Sequence, residues 1–329
     1  MSIRSVPLPI SADLAAAREV IARALIPTPL IAAPAAGERV WIKAESFQPS
    51  GSFKVRGALA AATALPAGCR IVTASAGNHA LGIAFAAGKL GIPATIVVPG
   101  NVSPAKRAAL EALPIELIVH GDDYDAVEAY AMSLAADPVR EAIYVSPYND
   151  PHVIAGQSTI VDELVAQLPG DRPLTIVAGV GGGGLVAGLS LRARELTTTA
   201  RPIRVIGVEA AQSVAVSRAI AAGQTYEIPI GETIADGLSG NLEPGSITVG
   251  LIAEHTDALT TVTEDELATA IRWLARQHGL VAEGAAAAAT AAFLAGKISP
   301  EDGDLVLLLT GRNIALPKLA SVLVREDLP

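Results

Sequence analysis

Short apolar runs and helical stretches take turns along most of this chain. Ile71–Ser75 (IVTAS), Ala94–Pro99 (ATIVVP), Ile115–His120 (IELIVH) and Ala142–Ser146 (AIYVS) each predict a strand. Between them the pattern turns helical, over Asn78–Leu90, from Ser103-Pro104 onward, and over about Tyr124–Leu134. Serine as a cap with proline at the first helical position marks the second of these starts. A second series begins near Asp150. It reads as a helix over about Val153–Gln167, the strand LTIVAGV, four glycines, a further helix and the strand IRVIGVE. Glu264–His278 follows as a helix, with Thr263 and Glu266 as a capping box. A small-residue helix over Ala285–Ala295 precedes the apolar strand LVLLLT. Ahead of both series, Ser11 reads as the cap of a helix to about Leu25. Pro27-Thr28-Pro29-Leu30 forces an extended connector, Arg39–Ala44 alternates as a strand, and a helix runs over about Val55–Ala64.

Strand–helix alternation with short links predicts an α/β fold of two doubly wound, mostly parallel sheets. The first regular series predicts a small domain over residues 70–147, and residues 1–69 with 148–329 a larger one. The site is expected between them, with the small domain closing on substrate.

Composition narrows the function classes. The chain has 329 residues and is 51% hydrophobic but only 3% aromatic, so alanine and glycine do much of the packing. Net charge is −9, from 24 basic and 33 acidic residues, with no run of lysine or arginine. Nucleic acid and membranes are therefore not expected partners. Cys69 is the single cysteine, which removes an intrachain disulfide and any cysteine-rich metal cluster. The charged N-terminal stretch, with Asp13, Arg18, Glu19 and Arg23, does not read as a signal peptide, and a cytoplasmic protein is expected.

Candidate chemistry gathers at strand and helix ends. Lys54 lies in QPSGSFKVRGA between a turn-forming loop and a helix, flanked by Phe53 and Val55. Burial there would lower its pKa and make it a base or a Schiff-base nucleophile, against the alternative of an ordinary surface charge. Gly181–Gly184 separate a buried strand from a helix and leave N–H groups free to cradle a phosphate. The competing readings are a tight packing turn or a dinucleotide loop with Glu209 on the ribose. Ser75-Ala76-Gly77-Asn78-His79 ends a strand where open α/β sheets bind ligands, although Ser and Asn are also plain helix caps. Thr310 offers a neutral hydroxyl at another strand end. A phosphate cradle, a nucleophilic lysine, an asparagine and a strand-end hydroxyl together suit pyridoxal 5'-phosphate.

The ordered segments PTPL, ESFQPSGSFKVRGA, SAGNHA, AGQSTI, GVGGGGLVAG, IADG and TGRNI resemble the serine/threonine dehydratase (ammonia-lyase) group of fold type II pyridoxal-phosphate enzymes. Serine racemase belongs to the same group, whose fold is like that of the tryptophan synthase β subunit. The likeness runs from about Pro27 to Asn313. It implies Lys54 as the Schiff-base lysine and Cα base, and Gly181, Gly182, Gly183 and Gly184 as the phosphate cradle. It further implies Asn78 at the ring hydroxyl, Phe53 against the ring, Thr310 facing the pyridine nitrogen and Gly237 near the cofactor. Ser75, Ala76, Gly77 and His79 would form the substrate-carboxylate loop. The implied reaction is dehydration and deamination of a threonine- or serine-type β-hydroxy-α-amino acid to a 2-oxo acid and ammonia.

Several positions depart from that pattern. Ala76 stands where the racemase has its second acid/base serine, so weak racemisation is expected. The group's cation site pairs a Glu at the position of Glu209 with an Asp where this chain has Ala215, so metal binding is not assigned beyond Glu209 as a candidate. Thr310 replaces a more usual serine or cysteine, and Arg312 a glycine. If Arg312 and Tyr148 face the substrate, a bulkier or acidic β-hydroxy amino acid fits. A β-replacement enzyme of the same fold and a non-catalytic cofactor-binding protein are the rival functions. The chain ends at Pro329, so end-product regulation is not expected, and a homodimer is the expected assembly.

Overall fold

The computed structural model describes residues 4–122, 124–299 and 303–324; Pro329, on which the regulatory expectation rested, lies outside them. Two sheets organise the chain. The larger has the order β1-β2-β10-β7-β8-β9, formed by Leu30–Ala32, Val40–Ala44, Asp304–Leu309, Leu174–Gly179, Ile203–Ala210 and Ala258–Val262. Only β1 runs antiparallel to its neighbour. The smaller is wholly parallel, in the order β5-β4-β3-β6, from Glu116–Val119, Ala94–Val98, Arg70–Ala74 and Ala142–Tyr144.

Central strands of parallel sheets are covered on both faces, which is why they read as unbroken apolar runs. In β10, Leu305, Leu307 and Leu309 pack on one face, against α10 (Glu264–His278), α11 (Gly284–Leu294) and α12 (Leu316–Val324). Val306 and Leu308 point to the other face, under α6 (Pro151–Gln167), α7 (Gly184–Leu196) and α9 (Ile247–His255). In the smaller sheet, Val72, Ala74 and Val97 meet α5 (Tyr124–Ala136). The opposite face packs on α2 (Lys54–Ala64) and α3 (Asn78–Leu90).

The helix that begins at Lys54 therefore belongs to both cores. Val55, Ala58, Leu59 and Ala62 join the smaller sheet's cluster, although the residue-69 boundary read from the sequence assigns them to the larger unit. On its other side α2 crosses α6 in near contact. A Cβ at Gly156 would lie 2.6 Å from the Gly57 Cα, so both positions need glycine for the backbones to approach. Arg56 locks the same crossing. Its guanidinium donates to Glu45 at 2.8 Å and pairs with Glu163 at 2.7 Å, while Lys43 meets Glu163 at 2.6 Å. Arg56 and Glu45 are fully enclosed. Burial works against the Arg56 charge, but Glu45 and Glu163 outweigh it and hold the guanidinium above its usual pKa.

Most helix bounds follow the sequence pattern. Thr263 accepts from the Glu266 N–H and Glu266 from the Thr263 N–H, as the capping box requires. Ser103 accepts the Lys106 N–H. Ser11 is a correction. α1 (Ser11–Ala24) starts at this residue, with Ile10 at the cap. The Asp13 carboxylate accepts the Ile10 N–H at 2.9 Å, and the Ser11 hydroxyl instead donates to Glu195 at 2.8 Å. Five of the strands and α-helices had no sequence prediction: β1, α8 (Ala215–Ala222), α9, β9 and α12. Among the described residues no helix is long and apolar enough to cross a membrane.

Candidate active site

Strand ends converge in the space between the sheets. β3 delivers Ser75–Asn78, β7 delivers Gly181–Gly184 and β10 delivers Thr310. Lys54 stands at the N-terminus of α2, seated there by two backbone links to the end of β10. The Phe53 N–H donates to the Thr310 carbonyl at 3.0 Å, and Ser52 bridges to Gly311. The Lys54 ammonium donates to the Pro147 carbonyl at 2.7 Å and lies 5.2 Å from the Phe53 ring centroid. Burial lowers its pKa to about 8, with Glu283 opposing the shift. The sequence reading of a desolvated lysine thus has its physical cause.

Pro147 leads directly to Tyr148, and Tyr148 is the floor of the glycine loop. A Cβ at Gly182 would lie 2.3 Å from the Tyr148 Cγ, and one at Gly184 2.8 Å from the Tyr148 Cα. Gly183 adopts a left-handed φ of 86°, and its carbonyl accepts the Ala187 N–H in the first turn of α7. Thr248 ties the loop from α9 by donating to the Gly182 carbonyl at 2.8 Å. Among the described residues none accepts from the N–H groups of Gly182, Gly183 or Gly184. Three free donors at a helix N-terminus, on a floor with no room for a side chain, suit a phosphate. Gly237 packs behind Gly181, its carbonyl 2.9 Å from where a Cβ would stand. With the partly buried amine across the cleft, these residues fit pyridoxal phosphate.

Asn78 occupies the opposite wall. Its Nδ2 donates to Glu283 at 2.6 Å, and its Oδ1 accepts from the Asn313 amide at 2.7 Å. Glu283 was not singled out in the sequence. The available signal was a lone carboxylate in VAEGAAAAA, an acid entering an otherwise apolar small-residue helix. It is 6% exposed, and burial raises its pKa to about 7, against the hydrogen bond from Asn78. Thr310, one residue before the Gly311 carbonyl that accepts the Glu283 N–H, is also buried.

Other candidates take different places. The Ser75 hydroxyl accepts the N–H groups of Gly77 and Ala80 and so shapes the start of α3. Gly77 has open space where a Cβ would stand, and Ala76 and Gly77 are partly exposed. The His79 ring is buried, with Nε2 3.3 Å from the Val145 carbonyl. Burial and the Lys54 charge lower its pKa to about 3, so the ring is neutral. The Tyr148 hydroxyl accepts the Glu243 N–H at 2.6 Å, which holds the ring in its buried place.

Arg312, the candidate substrate residue, lies exposed just after β10. Its guanidinium donates to the Ser46 carbonyl, and it lines an open groove of ≈ 620 Å³ with Pro49, Phe85 and Lys89 on the outer side of the Lys54 loop. Glu209, the candidate metal ligand, lies at the end of β8. Its carboxylate accepts the N–H groups of Val216 and Ser217 and the Ser217 hydroxyl, which anchors α8. No cluster of three His, Cys, Asp or Glu side chains suited to a metal occurs among the described residues.

Comparison with known proteins agrees with this geometry. A family model described as pyridoxal-phosphate dependent enzyme matches residues 21–311. An L-threonine ammonia-lyase of Geobacter sulfurreducens is 37% identical over 295 residues, covering 89% of this chain and 71% of that protein. The crystal structure of a T.th. threonine deaminase superposes with a TM-score of 0.81 at 36% identity, covering 94% of this chain and 99% of the other. Maize serine racemase superposes with a TM-score of 0.85 at 26% identity, covering 96% and 97%.

Proposed function

The chain belongs to the family of pyridoxal-phosphate dependent enzymes, and from that membership we propose that it dehydrates and deaminates threonine or serine to a 2-oxo acid and ammonia. The observation that carries this reading is the Lys54 amine, partly buried and held on the Pro147 carbonyl one residue from the floor of the glycine loop. Bound there, the cofactor supplies an electron sink that acidifies the Cα–H of the amino acid joined to it. Every other part falls to this chain's side chains and backbone. The N–H groups of Gly181–Gly184 hold the phosphate at the start of α7. Lys54, with an amine pKa lowered to about 8, is a base matched to neutral solution and takes the proton from the substrate Cα. Asn78 meets the ring hydroxyl, Phe53 lies against the ring, Gly237 backs the cofactor and Thr310 faces the ring nitrogen. The N–H groups of the Ser75–His79 loop, at the N-terminus of α3, hold the substrate carboxylate.

Two observations favour a small neutral substrate and elimination. The Arg312 guanidinium is held on the Ser46 carbonyl and lines the open groove with Phe85 and Lys89. Ala76 has no proton to give on the face opposite Lys54. We assign the closing unit to residues 70–147, the place of work to the cytoplasm and the assembly to a homodimer, which sedimentation of the purified chain tests. The functional test is a panel of β-hydroxy amino acids, with 2-oxo acid release followed after cofactor loading. Turnover on threonine or serine is expected, with none in Lys54→Ala. A borohydride-reducible visible band with no turnover on any amino acid would sink the dehydratase reading, and no band at all would sink cofactor binding.

A further inference from the structure

We propose that Glu283 is a positioning residue of this site that acts through Asn78: its carboxylate fixes the asparagine amide so that the second N–H is left to the ligand, and gain or loss of its proton loosens or tightens that hold. The proposal rests on the function proposed above and adds to it a residue and a pH response.

The arrangement is built around Glu283 from several sides. The residue precedes the first turn of α11, whose backbone it starts by accepting the N–H groups of Ala286 and Ala287 on its carbonyl. Its carboxylate makes no cap bond to that helix and turns instead to Asn78, at 2.6 Å. Room for it is reserved at Gly311, where a Cβ would lie 2.3 Å from the Glu283 Oε1. Gly311 in turn accepts the Glu283 N–H on its carbonyl at 3.2 Å. A second glycine makes room for the far end of the same network. Asn313 donates to the Asn78 Oδ1 at 2.7 Å and to the Ser50 carbonyl at 2.8 Å, and a Cβ at Gly51 would lie 2.3 Å from the Asn313 Oδ1.

One continuous path thus runs from Glu283 through Asn78 and Asn313 to the loop that carries Lys54. The path fixes which way the Asn78 amide faces. Its oxygen is taken by Asn313 and one N–H by Glu283, so one amide N–H remains for a ring oxygen. An ionised carboxylate makes the stronger and shorter bond to that amide, and a protonated one the weaker.

The groups around Glu283 make the proton exchangeable near neutral pH. Burial and Asp236 favour the neutral acid, while the Asn78 N–H, Lys106 and Lys54 favour the anion, and the balance lies at about 7. Lys106 and Asp236 are themselves paired at 3.3 Å at the exposed edge, across the gap between α4 (Pro104–Glu111) and the residues before α9. Arg312, the remaining charge on the segment after β10, is turned to Ser46 and does not enter this balance.

The test uses wild type, Glu283→Gln and Glu283→Asp. Infrared titration of the cofactor-free full chain should show a buried carboxylic acid that ionises near pH 7 and is missing in Glu283→Gln. In the loaded enzyme, the visible band and kcat of the wild type should share an inflection in that range. Glu283→Gln keeps an acceptor for Asn78 without the charge. It should lose the inflection and lower kcat about tenfold above pH 7 with KM within threefold, and Glu283→Asp should restore the inflection. A purely structural carboxylate would move none of these pH profiles. The proposal is overturned if Glu283→Gln keeps the wild-type inflection in band and kcat, or if no buried carboxyl titrates in the wild type. The infrared arm needs no cofactor, and Glu283→Asp stands beside Glu283→Gln should the latter fail to fold, so it fails separately from the lyase reading, which falls if no visible band forms.

Discussion

Gly182→Ala tests the phosphate cradle most directly. The added Cβ would lie 2.3 Å from the Tyr148 Cγ, 2.4 Å from Cδ1 and 2.7 Å from Cδ2. Carbon atoms rest at about 3.5–4.0 Å, so loop and ring must separate by roughly 1 Å. The ring cannot supply that movement cheaply. Tyr148 is 8% exposed, its hydroxyl is held by the Glu243 N–H, and its backbone abuts Gly184. The loop moves instead, and overpacking of this kind costs about 1–3 kcal/mol. In a chain of this size that corresponds to a fall in Tm of roughly 1–4 °C. The cofactor should suffer more, since a displacement of about 1 Å at positioned donors can cost about a hundredfold. Gly250→Ala is the control. It lies exposed in α9 with open space at the Cβ, and should be neutral or stabilise by about 0.5–1 kcal/mol. The assays are thermal unfolding of the cofactor-free chain and equilibrium titration with pyridoxal phosphate. Tyr148→Ala in the same chain should recover part of the Gly182→Ala loss, giving a coupling of about 1–3 kcal/mol. Wild-type affinity and Tm in Gly182→Ala would refute the close seating of the loop and with it the cradle.

Three further outcomes are expected. Arg56→Ala leaves Glu45 and Glu163 without their buried counter-charge and should cost about 3–5 kcal/mol in urea unfolding, whereas Arg23→Ala, which breaks an exposed pair with Glu19, should stay within about 0.5 kcal/mol. Glu283 ionises at about 7 in the fold against an ordinary 4.5, so its contribution is full below about 4.5 and is lost as pH rises through about 7, on the order of 3 kcal/mol. Urea midpoints of the cofactor-free chain measured from pH 5 to 8 should therefore fall less steeply in Glu283→Gln, and an unchanged slope would contradict the buried acid. Thr263→Ala removes both a helix cap and half of a capping box, and should lower stability by about 1 kcal/mol without changing cofactor affinity.

The sequence alone determined the strand–helix order, because buried parallel strands must be apolar and caps, prolines and glycines punctuate the helices between them. α3 and α10 carry the predicted bounds, Asn78–Leu90 and Glu264–His278. α9 and β9 were not legible. ITVGLIAEH is apolar without a helical stripe, and ALTTV is an edge strand with only one fully buried residue. The candidate lysine, glycine run and asparagine were visible because each sits in a local motif. Tertiary structure alone decided what each one touches. Glu283 lies 205 positions from Asn78, and a lone acid gives no sign of a partner that far away. Local pattern equally hid the use of Glu209 as an anchor for α8, the turn of Arg312 toward Ser46, and the seating of Tyr148 beneath Gly182. Patterns of polarity report which face of an element is buried. Side-chain partners, and the ionisation that follows from them, exist only once the two sheets have brought their strand ends together.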